Sequence, residues 1–486
     1  MARKETDGNI SARKKASAKN REFAVVAYSF LALFVGMMGY FIYFQVVLSE
    51  DFINNPYNKR QEIFQEKIVR GTIYSADKEI LAETVTDADG KETRRYPYDN
   101  LFAHVVGYAN HGKTGLESFA NFNLLRSNIS TPEKIAGELS AVKNPGDNVV
   151  TTLSVALQQT AFDAIGAFRG AVVVMEPKTG KILAMVSKPD YNPNTVSEDW
   201  ALLTAEDNDK SQLLNRATQG LYPPGSTFKI LTTLEYIREH PADYESYQYN
   251  CTGDFASGNA KIHCYGGTRH GSVDLKSSFA RSCNTSYASL GLTLDLNRFK
   301  SLCDEMLFNS ALPIDLLYNK SSFVLSPNDA DSAVMETSIG QGKTLVTPLH
   351  MALITSAIAN DGVLMKPYVI DHIENANGST VEQNKPAVFL QLITQEEAVI
   401  LQDFMHAVVS DGTGKKLKDQ IYDAYGKTGS AEYSTGADSS HSWFVGYAKM
   451  EGKEDIAVSV IVERSGSGSE YAVPIAKEIF EVYFQN

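Results

Sequence analysis

The longest apolar segment of the chain lies close to its N-terminus. No residue between Glu22 and Glu50 is charged, and the 26 residues from 23 to 48 are mostly Phe, Val, Leu, Ile, Met and Tyr. A helix of this length, at about 1.5 Å per residue, exceeds the roughly 30 Å hydrocarbon core of a bilayer. A signal peptide has an apolar run of about 7 to 15 residues and a small-residue cleavage site, which residues 46–48 (Val-Val-Leu) do not provide. The pattern predicts an uncleaved transmembrane helix over residues 23–48.

Polar and turn-forming residues dominate the segment that follows, residues 49–148. Short strand-like segments interrupt it at residues 70–75 and 101–106. The sequence Asn-Pro-Gly-Asp-Asn at 144–148 is a turn signal. We therefore expect a small, β-rich domain between the membrane and a second domain that begins near residue 149.

After residue 148 the hydrophobic pattern has both strand and helix periods. Apolar runs at 171–175 and 182–186 flank a Pro-Lys-Thr-Gly-Lys turn, which predicts a β-hairpin in a buried sheet. Residues 226–410 are predicted to be mainly helical. The other predicted elements are helices over 153–165 and 473–484 and strands at 425–433, 442–448 and 456–462. Strands at both sequence ends with helices between them predict one α+β domain over residues 149–486 whose sheet is completed by its C-terminus.

Charge is distributed unevenly along the chain. The 486 residues contain 45 Lys and Arg against 58 Asp and Glu, a net charge of −13, so nucleic acid is a poor candidate partner. The first 22 residues nevertheless carry seven basic and three acidic side chains, a net charge of +4, which leaves −17 for the remainder. Basic residues mark the cytoplasmic end of a membrane helix. We therefore predict that residues 1–22 form a cytoplasmic tail and that the chain after residue 48 lies outside the cytoplasm.

Cysteine and histidine show no metal-binding spacing. The four cysteines and nine histidines include no Cys-x-x-Cys pair, no His-x-x-x-His pair and no cluster at the spacing of zinc sites, so we expect neither a structural metal nor a cofactor. Cys251 and Cys264 flank a Gly-rich loop and could pair as a disulfide, although spacing alone does not give the geometry that a disulfide needs. Cys303 is predicted to be a core residue.

The first candidate catalytic pair lies at the start of a predicted helix. Pro-Pro-Gly ends regular structure just before Ser226, and a serine is a favourable N-cap for the helix that follows. Apolar residues then recur at helical spacing, at Phe228, Ile230, Leu231, Leu234 and Ile237. Lys229 lies three positions after Ser226 on the same helix face, so its amine can reach the hydroxyl. Burial would lower the pKa of Lys229 and allow it to act as a base toward Ser226.

The Ser-x-x-Lys spacing alone is not specific, because it occurs four times. The copies that begin at Ser11, Ser75 and Ser140 lie in the basic tail or in polar, turn-like sequence. Only the copy at Ser226 precedes a helical pattern. The chain has no Gly-x-Ser-x-Gly elbow, which argues against a triad-type serine hydrolase.

Two further motifs follow Ser226 in the same predicted domain. Ser-Cys-Asn at 282–284 places a hydroxyl and a carboxamide two residues apart, a pair that can relay a proton and bind a peptide amide. Lys-Thr-Gly-Ser at 427–430 combines a cation that can hold a carboxylate with a glycine that lets a ligand approach an edge strand. Each pattern recurs elsewhere, Ser-x-Asn at 257–259 and 326–328 and Lys-Thr-Gly at 113–115 and 178–180.

Residues 107–114 match the Gly-x-x-x-x-Gly-Lys-Thr spacing of a nucleotide-binding phosphate loop and follow a predicted strand. The sequence Asn-Phe-Asn at 121–123 disfavours the helix that such a loop requires. The predicted topology also places this segment away from cytoplasmic nucleotide. We therefore expect no nucleotide binding.

The three motifs, in this order, resemble the set found in penicillin-binding proteins and β-lactamases. Together with the N-terminal helix and the small domain, they make the chain similar to a class B penicillin-binding protein, a single-anchor D,D-transpeptidase of bacterial peptidoglycan. Other similar segments are Asn58-Lys59-Arg60, Arg70-Gly71-Thr72-Ile73, Gly115-Leu116-Glu117, residues 148–190 and Gly340-Gln341-Gly342 with Thr347-Pro348. The resemblance implies a dimerisation-type pedestal over 49–148 and a transpeptidase domain over 149–486. That domain would have the serine β-lactamase-like fold, with helices packed on a mainly antiparallel sheet.

The resemblance also implies roles for the site residues. Ser226 would attack a stem peptide that ends in D-Ala-D-Ala, or a β-lactam that mimics it, while Lys229 takes its proton and Ser282 relays the proton to the leaving amine. The predicted substrate-binding residues are Asn284, Lys427, Thr428, Gly429 and Ser430. Backbone N–H groups of Ser226 and Ser430 would form the oxyanion hole, and the charge of Lys427 would help to keep Lys229 neutral.

Three alternative functions use the same motifs. A membrane-anchored β-lactamase needs a base for deacylation, and the sequence offers no candidate. A β-lactam sensor needs an effector domain, which a 22-residue tail does not supply. A non-catalytic cell-wall scaffold has no need of all three motifs. The resemblance further implies a membrane-embedded SEDS-type glycosyltransferase as partner, but it does not separate roles in elongation, septation or sporulation.

Overall fold

The computed structural model describes residues 2–45, 66–140, 142–432 and 440–485. The chain divides into two units, residues 1–61 and residues 62–486. Three features of the sequence lie outside the described residues: the end of the predicted membrane helix at 46–48, the Asn58-Lys59-Arg60 segment and Tyr433.

Within its described residues, the first unit contains one long helix, α1, over Ala2–Tyr43. The predicted tail and the predicted membrane helix are therefore, where described, parts of one continuous helix. Its segment Phe23–Tyr43 has a mean hydropathy of 2.0, and the large apolar side chains of this segment are exposed. An exposed apolar band of this length is unfavourable in water and matches the thickness of a bilayer. By length and composition the helix can cross a membrane, which supports the predicted anchor.

The second unit contains the remaining helices and all the strands that the structure describes. The first eight strands are β1 Ile68–Val69, β2 Ile73–Tyr74, β3 Ile80–Thr86, β4 Glu92–Arg95, β5 Asn144–Pro145, β6 Asn148–Thr151, β7 Gly170–Met175 and β8 Ile182–Lys188. The later strands are β9 Gln248–Cys251, β10 Asp254–Ser257, β11 Ala260–His263, β12 Gly271–Asp274, β13 Val363–Met365, β14 Ile370–Glu374, β15 Thr380–Gln383, β16 Val388–Gln391, β17 Asp423–Glu432, β18 Ser440–Lys449 and β19 Ile456–Val462.

Most of the long helices of the second unit lie after residue 150. The helices of this unit are α2 Ala103–Val106, α3 Gly115–Phe119, α4 Asn121–Leu124, α5 Thr131–Leu139, α6 Val155–Ile165, α7 Val196–Leu203, α8 Lys229–Glu239, α9 Leu275–Ala280, α10 Asn284–Gly291, α11 Leu296–Glu305, α12 Asp331–Ser338, α13 Pro348–Ala359, α14 Gln395–Ser410 and α15 Ala472–Gln485. Single 3₁₀ turns occur at Asp99–Phe102, Gly225–Phe228, Tyr244–Ser246, Tyr265–Gly267 and Lys415–Leu417.

A five-stranded antiparallel sheet with the order β17-β18-β19-β7-β8 forms the centre of the large domain. Strands β7 and β8 are the hairpin that the sequence predicts, and β17 to β19 come from the C-terminal end. Side chains of β7 alternate between two cores: Val173 packs in the core that includes α13, whereas Val172 and Val174 pack in the core that includes α6 and α15. Helices thus cover both faces of the sheet, and the predicted α+β fold is confirmed.

A second sheet, of six strands in the order β15-β14-β6-β2-β3-β4, connects the pedestal to the large domain. Strand β6 pairs in parallel with β2 and antiparallel with β14. Ile73 and Val149 are opposite each other in this sheet, and both are fully buried. Since the sheet takes strands from both sides of residue 148, backbone hydrogen bonds join the two parts, and the domain limits at 49–148 and 149–486 stay a prediction.

One sequence-based assignment is wrong, and another is incomplete. Residues 101–106, predicted as a strand, form the end of a 3₁₀ turn and helix α2. All six residues are buried, and a short apolar run that is buried on every side does not separate strand from helix by its period. In residues 226–410 helices α8 to α14 form the larger part of the regular structure, as predicted, but the segment also contains strands β9 to β16, which the pattern did not predict.

The segment with phosphate-loop spacing therefore follows a helix and not a strand. The loop is also held together across its ends, because the N–H of Thr114 donates to the carbonyl of Tyr108 (3.2 Å) and the N–H of Tyr108 donates to the Thr114 hydroxyl (3.4 Å). The helix after it, α3, has five residues. This geometry differs from the strand, loop and long helix of a phosphate-binding motif.

A buried ion-pair cluster holds the pedestal together. The carboxylate of Glu117 is fully buried and binds Arg70 at 2.6 Å and Arg94 at 2.7 Å. Burial alone would raise the pKa of Glu117, but the charges of Arg70 and Arg94 outweigh it, so this pKa is lowered. Two of the segments that resemble the family's pedestal, at 70–73 and 115–117, therefore meet in one cluster.

We expect Glu117→Gln to lower the free energy of unfolding by about 3–5 kcal/mol, because it leaves two buried guanidinium groups without a counter-charge. Chemical denaturation of the purified chain measures this change. Glu83→Gln is the matched control, since Glu83 pairs with Arg95, whose side chain is 61% exposed, and such pairs contribute about 1 kcal/mol or less. Equal effects of the two substitutions would contradict the structural role of the cluster.

Candidate active site

Ser226 lies in a 3₁₀ turn that leads directly into a buried helix. The turn spans Gly225–Phe228, and α8 begins at Lys229. Ser226 makes no capping hydrogen bond, so its predicted N-cap role is wrong. Side chains three residues apart are eclipsed in a 3₁₀ turn, whereas in an α-helix they are offset. The Lys229 ammonium nitrogen, Nζ, consequently lies 3.1 Å from the Ser226 hydroxyl oxygen, Oγ.

Lys229 is 0% exposed and is held by oxygen acceptors. Besides Ser226, three oxygens lie within hydrogen-bond distance of its Nζ: the carbonyl of Ser282 at 2.8 Å, Oδ1 of Asn284 at 2.8 Å and Oγ of Ser282 at 3.3 Å. Burial lowers the pKa of Lys229 to about 7. At neutral pH a large fraction of this amine is therefore unprotonated and able to accept a proton from Ser226.

Ser282 lies in the turn between α9 and α10. Its φ angle is +58°, a left-handed conformation that is uncommon for residues other than glycine and often marks a functional position. In this conformation both its carbonyl and its hydroxyl face Lys229, while the hydroxyl also accepts from Nζ of Lys427 at 2.8 Å. The Ser282 hydroxyl thus connects two lysine side chains.

Asn284 begins helix α10, and its amide makes two contacts in the site. Oδ1 accepts from Lys229, and Nδ2 donates to the carbonyl of His263 at 3.1 Å. A carboxamide has two N–H donors and two acceptor lone pairs, so each end retains capacity for one more partner.

Residues 427–430 lie on β17, the edge strand of the five-stranded sheet. Lys427 is 0% exposed, and its Nζ donates to the Thr428 carbonyl (3.0 Å) as well as to Ser282. Burial, and then the charge of Lys229, lowers the pKa of Lys427 well below its ordinary value. The hydroxyl of Thr428 bonds to that of Thr413. The predicted proximity of the two lysines is thus present in the structure.

The small size of Gly429 and Gly225 lets the edge strand pack against the nucleophile's turn. A Cβ at Gly429 would lie 3.0 Å from the Trp443 Cβ and 3.2 Å from the Pro224 carbonyl. A Cβ at Gly225 would lie 3.0 Å from the Ser430 carbonyl. Gly429 also lines the cleft, so the predicted approach of a ligand stays a prediction, and the contacts add a packing constraint that brings Ser226 and Ser430 together.

These residues surround a cleft of about 740 Å³. Of the predicted site residues, the cleft is lined by Ser226, Ser282, Asn284, Thr428, Gly429 and Ser430. Lys229 and Lys427 lie behind this wall. Sequence reasoning missed other lining residues, among them His263, Arg281, Gln341 and Thr413. Gln341 belongs to the Gly-Gln-Gly segment already noted, whereas Thr413 follows an Asp-Gly turn without a catalytic pattern.

All four cysteines are buried and carry free thiols. The sulfurs of Cys251 and Cys264, which were considered as a disulfide, are 3.7 Å apart. Cys303 and Cys283 are each 0% exposed, and Cys303 lies in the main core as predicted.

A serine whose hydroxyl bonds to a buried lysine, beside a second serine and a lysine on an edge strand, defines an acyl-transfer site of the serine-lysine class. Comparison with known families agrees: residues 170–481 match the penicillin binding protein transpeptidase domain, and residues 70–149 match the penicillin binding protein A dimerisation domain. The chain therefore belongs to the penicillin-binding protein transpeptidase family.

Individual relatives are similar over nearly the whole chain. A protein of Mycolicibacterium smegmatis named peptidoglycan D,D-transpeptidase PbpA is 30% identical, over 94% of this chain and 98% of that protein. The D,D-transpeptidase domain of a peptidoglycan glycosyltransferase from Eggerthella lenta is 30% identical, with a TM-score of 0.77 over 86% of this chain and 99% of that one. Penicillin-binding protein A from M. tuberculosis as its imipenem acyl-enzyme complex is 28% identical, with a TM-score of 0.77 over 87% of this chain and 100% of that one.

We expect the rate at which benzylpenicillin acylates the chain to rise with pH and to level off above about pH 7, where Lys229 is mainly unprotonated. Below that pH the rate should fall about tenfold per pH unit, because only the neutral amine can act as the base. The rate is obtained by stopping the reaction at timed intervals and measuring the acylated fraction by intact mass spectrometry. Circular dichroism at each pH confirms that the chain is folded. A rate that is constant from pH 5 to pH 8 would contradict Lys229 as the base.

Proposed function

We propose that the chain is a peptidoglycan D,D-transpeptidase that cross-links stem peptides through an acyl-enzyme at Ser226 and that β-lactams acylate the same oxygen. The observation that carries this proposal is the 3.1 Å contact between Ser226 Oγ and a fully buried Lys229 whose pKa is about 7. A serine hydroxyl is a weak nucleophile by itself, and a neutral amine at hydrogen-bond distance makes it reactive.

In the first half of the reaction, Ser226 Oγ attacks the carbonyl carbon of the penultimate D-Ala. Its proton passes to Lys229, and the developing oxyanion is stabilised by the backbone N–H groups of Ser226 and Ser430. The C–N bond then breaks, and the proton moves by way of the Ser282 hydroxyl to the departing D-Ala amine. Distances of 3.3 Å from Ser282 Oγ to Lys229 and 2.8 Å to Lys427 support this relay.

In the second half, the amine of a neighbouring stem peptide attacks the acyl-enzyme and releases Ser226. The amine's proton returns along the same route, so the sum of the two steps exchanges one amide bond for another. The product is a cross-link between two stem peptides.

Substrate binding follows from the contacts around the cleft. The Thr428 hydroxyl, supported by Thr413, contacts the terminal carboxylate of the donor, with the amine of Lys427 behind it. The unused N–H of Asn284 binds a backbone carbonyl of the stem peptide. The edge of β17 at Gly429 and Ser430 lies along the same cleft and offers backbone groups to an extended peptide.

Location and partner are inferred from the sequence and from the resemblance. The basic tail lies in the cytoplasm, α1 anchors the chain, and the domains over 49–148 and 149–486 lie on the outer side of the membrane. A SEDS-type glycosyltransferase that polymerises glycan strands contacts the membrane helix and the pedestal. The proposed reaction needs no nucleotide, and we expect neither a nucleotide nor a nucleic acid among the partners of the chain.

We expect intact mass spectrometry to show one benzylpenicillin adduct on the full chain and none on Ser226→Ala. Ser282→Ala should still form the adduct, but about 10²- to 10⁴-fold more slowly, because it removes proton relay and keeps the nucleophile.

An undiminished adduct on Ser226→Ala would overturn the assignment of the nucleophile. A wild-type adduct that disappears within minutes would favour a β-lactamase, whereas a transpeptidase should retain it. Release of D-Ala from a pentapeptide donor, with transfer to an added D-amino acid, tests the second half of the reaction in the same preparation.

A further inference from the structure

Four side chains with metal-binding atoms meet directly beside the catalytic turn. They are the thiols of Cys251, Cys264 and Cys283 and the imidazole of His270, and their ligand atoms all lie within 4.8 Å of one another. The Cys251 and Cys264 sulfurs are 3.7 Å apart, those of Cys264 and Cys283 are 3.8 Å apart, and Nδ1 of His270 is 3.4 Å from the Cys251 sulfur. This cluster has no part in the acyl-transfer chemistry derived above.

The spacing of the sulfurs is that of a tetrahedral metal site. Zinc binds thiolate sulfur at about 2.3 Å, so two sulfurs at a tetrahedral angle lie about 3.8 Å apart. A disulfide bond, in contrast, joins sulfurs at about 2.05 Å. We propose that Cys251, Cys264, His270 and Cys283 bind one zinc ion in a closed Cys₃His site. Three thiolates and one imidazole are the ligand set that favours zinc over magnesium or calcium.

The surroundings of the sulfurs support metal binding over a simple disulfide. The Thr285 side chain is fully buried, and its hydroxyl oxygen lies 3.2, 3.5 and 3.4 Å from the sulfurs of Cys251, Cys264 and Cys283. A hydroxyl that faces several ligands at once stabilises the negative charge of metal-bound thiolates. A disulfide between Cys251 and Cys264 would involve two of the sulfurs and leave Cys283 and His270 without a role.

The four ligands come from four separate positions along the chain. Cys251 ends β9, Cys264 follows β11, His270 precedes β12, and Cys283 precedes α10. The strands concerned have four residues each and form two-stranded sheets. The three cysteines form a small apolar cluster of their own, with Tyr249 packed against it. Such short hairpins lack a large core, and a structural metal is a usual way to stabilise them.

The proposed metal site would affect catalysis by holding neighbouring catalytic residues in place. Cys283 lies between Ser282 and Asn284, and the Asn284 amide donates to the carbonyl of His263, which adjoins Cys264. A metal ion bound to Cys264 and Cys283 would therefore fix both ends of this contact and the strained turn at Ser282. Because four protein ligands close the coordination sphere, the ion is structural and has no open position for substrate or water.

Metal content of the full-length chain tests the proposal independently of any acylation. The chain, purified in detergent from zinc-supplemented medium with a reductant, should contain one zinc per chain by inductively coupled plasma mass spectrometry. Cys251→Ser and His270→Ala should each lose most of this zinc. Cys303→Ala is the matched control, because Cys303 is also a buried thiol but lies outside the cluster, and it should retain the metal.

Three measurements on folded protein keep the test decisive if a cysteine variant does not fold. Cobalt substituted for zinc in the wild-type chain should give thiolate-to-cobalt charge-transfer absorption, and Thr285→Val should weaken zinc binding about 10- to 100-fold. Removal of zinc with a chelator should slow acylation of Ser226 by benzylpenicillin about 10²-fold, the scale of a misplaced catalytic group, and added zinc should restore it.

Two results would overturn the proposal. One is a wild-type chain that binds no stoichiometric zinc after reduction and incubation with zinc, with Ser226 still acylated at the normal rate. The other is a Cys251–Cys264 disulfide in the native protein, detected by peptide mapping without reduction. Either result would leave the proposed transpeptidase function unaffected, since that function is tested by the adduct on Ser226.

Discussion

The active site depends on the burial of two lysine side chains around one serine hydroxyl. Lys229 and Lys427 are each 0% exposed, and both donate to Ser282 Oγ. Two ammonium groups that contact the same hydroxyl oxygen in a desolvated site repel each other, so at least one of them is neutral near pH 7. The protein obtains a base for Ser226 in this way without a histidine or a carboxylate.

The rest of the fold holds three distant chain segments around this pair of lysines. The 3₁₀ turn at Gly225–Phe228 aligns Ser226 with Lys229, the left-handed turn at Ser282 directs two oxygens to Lys229, and the edge strand β17 supplies Lys427. Strand β17 can occupy this edge because β7 and β8 from the start of the domain and β18 and β19 from its end complete one sheet. Because residues 225 and 429 are glycines, the strand and the turn can approach so closely that a Cβ at either position would lie 3.0 Å from its nearest neighbour.

Much of the site could be predicted because its motifs are local. Ser226 with Lys229 and Ser282 with Asn284 each lie within one turn. Spacing and helix context selected the first pair, whereas the second pair was selected by the order of the three motifs in the family resemblance. The packing constraint at Gly429 could not be predicted, since it depends on Trp443 and Pro224, which are distant in sequence. The strand predicted at 101–106 failed because burial on every side removes the periodicity that separates strand from helix. The thiol and imidazole cluster was missed for a related reason: its members come from four elements whose separations match no local zinc pattern, and only tertiary packing brings them together.

The central claim is that burial lowers the pKa of Lys229 to about 7, so that about half of this amine is unprotonated at neutral pH before substrate binds. The most direct test is an NMR titration of isotopically labelled lysine side chains in the intact chain, with Lys229→Met to assign the resonance. The account predicts a lysine signal, absent from Lys229→Met, that titrates near pH 7. A Lys229 signal that titrates near the ordinary lysine value of about 10.4 would contradict it.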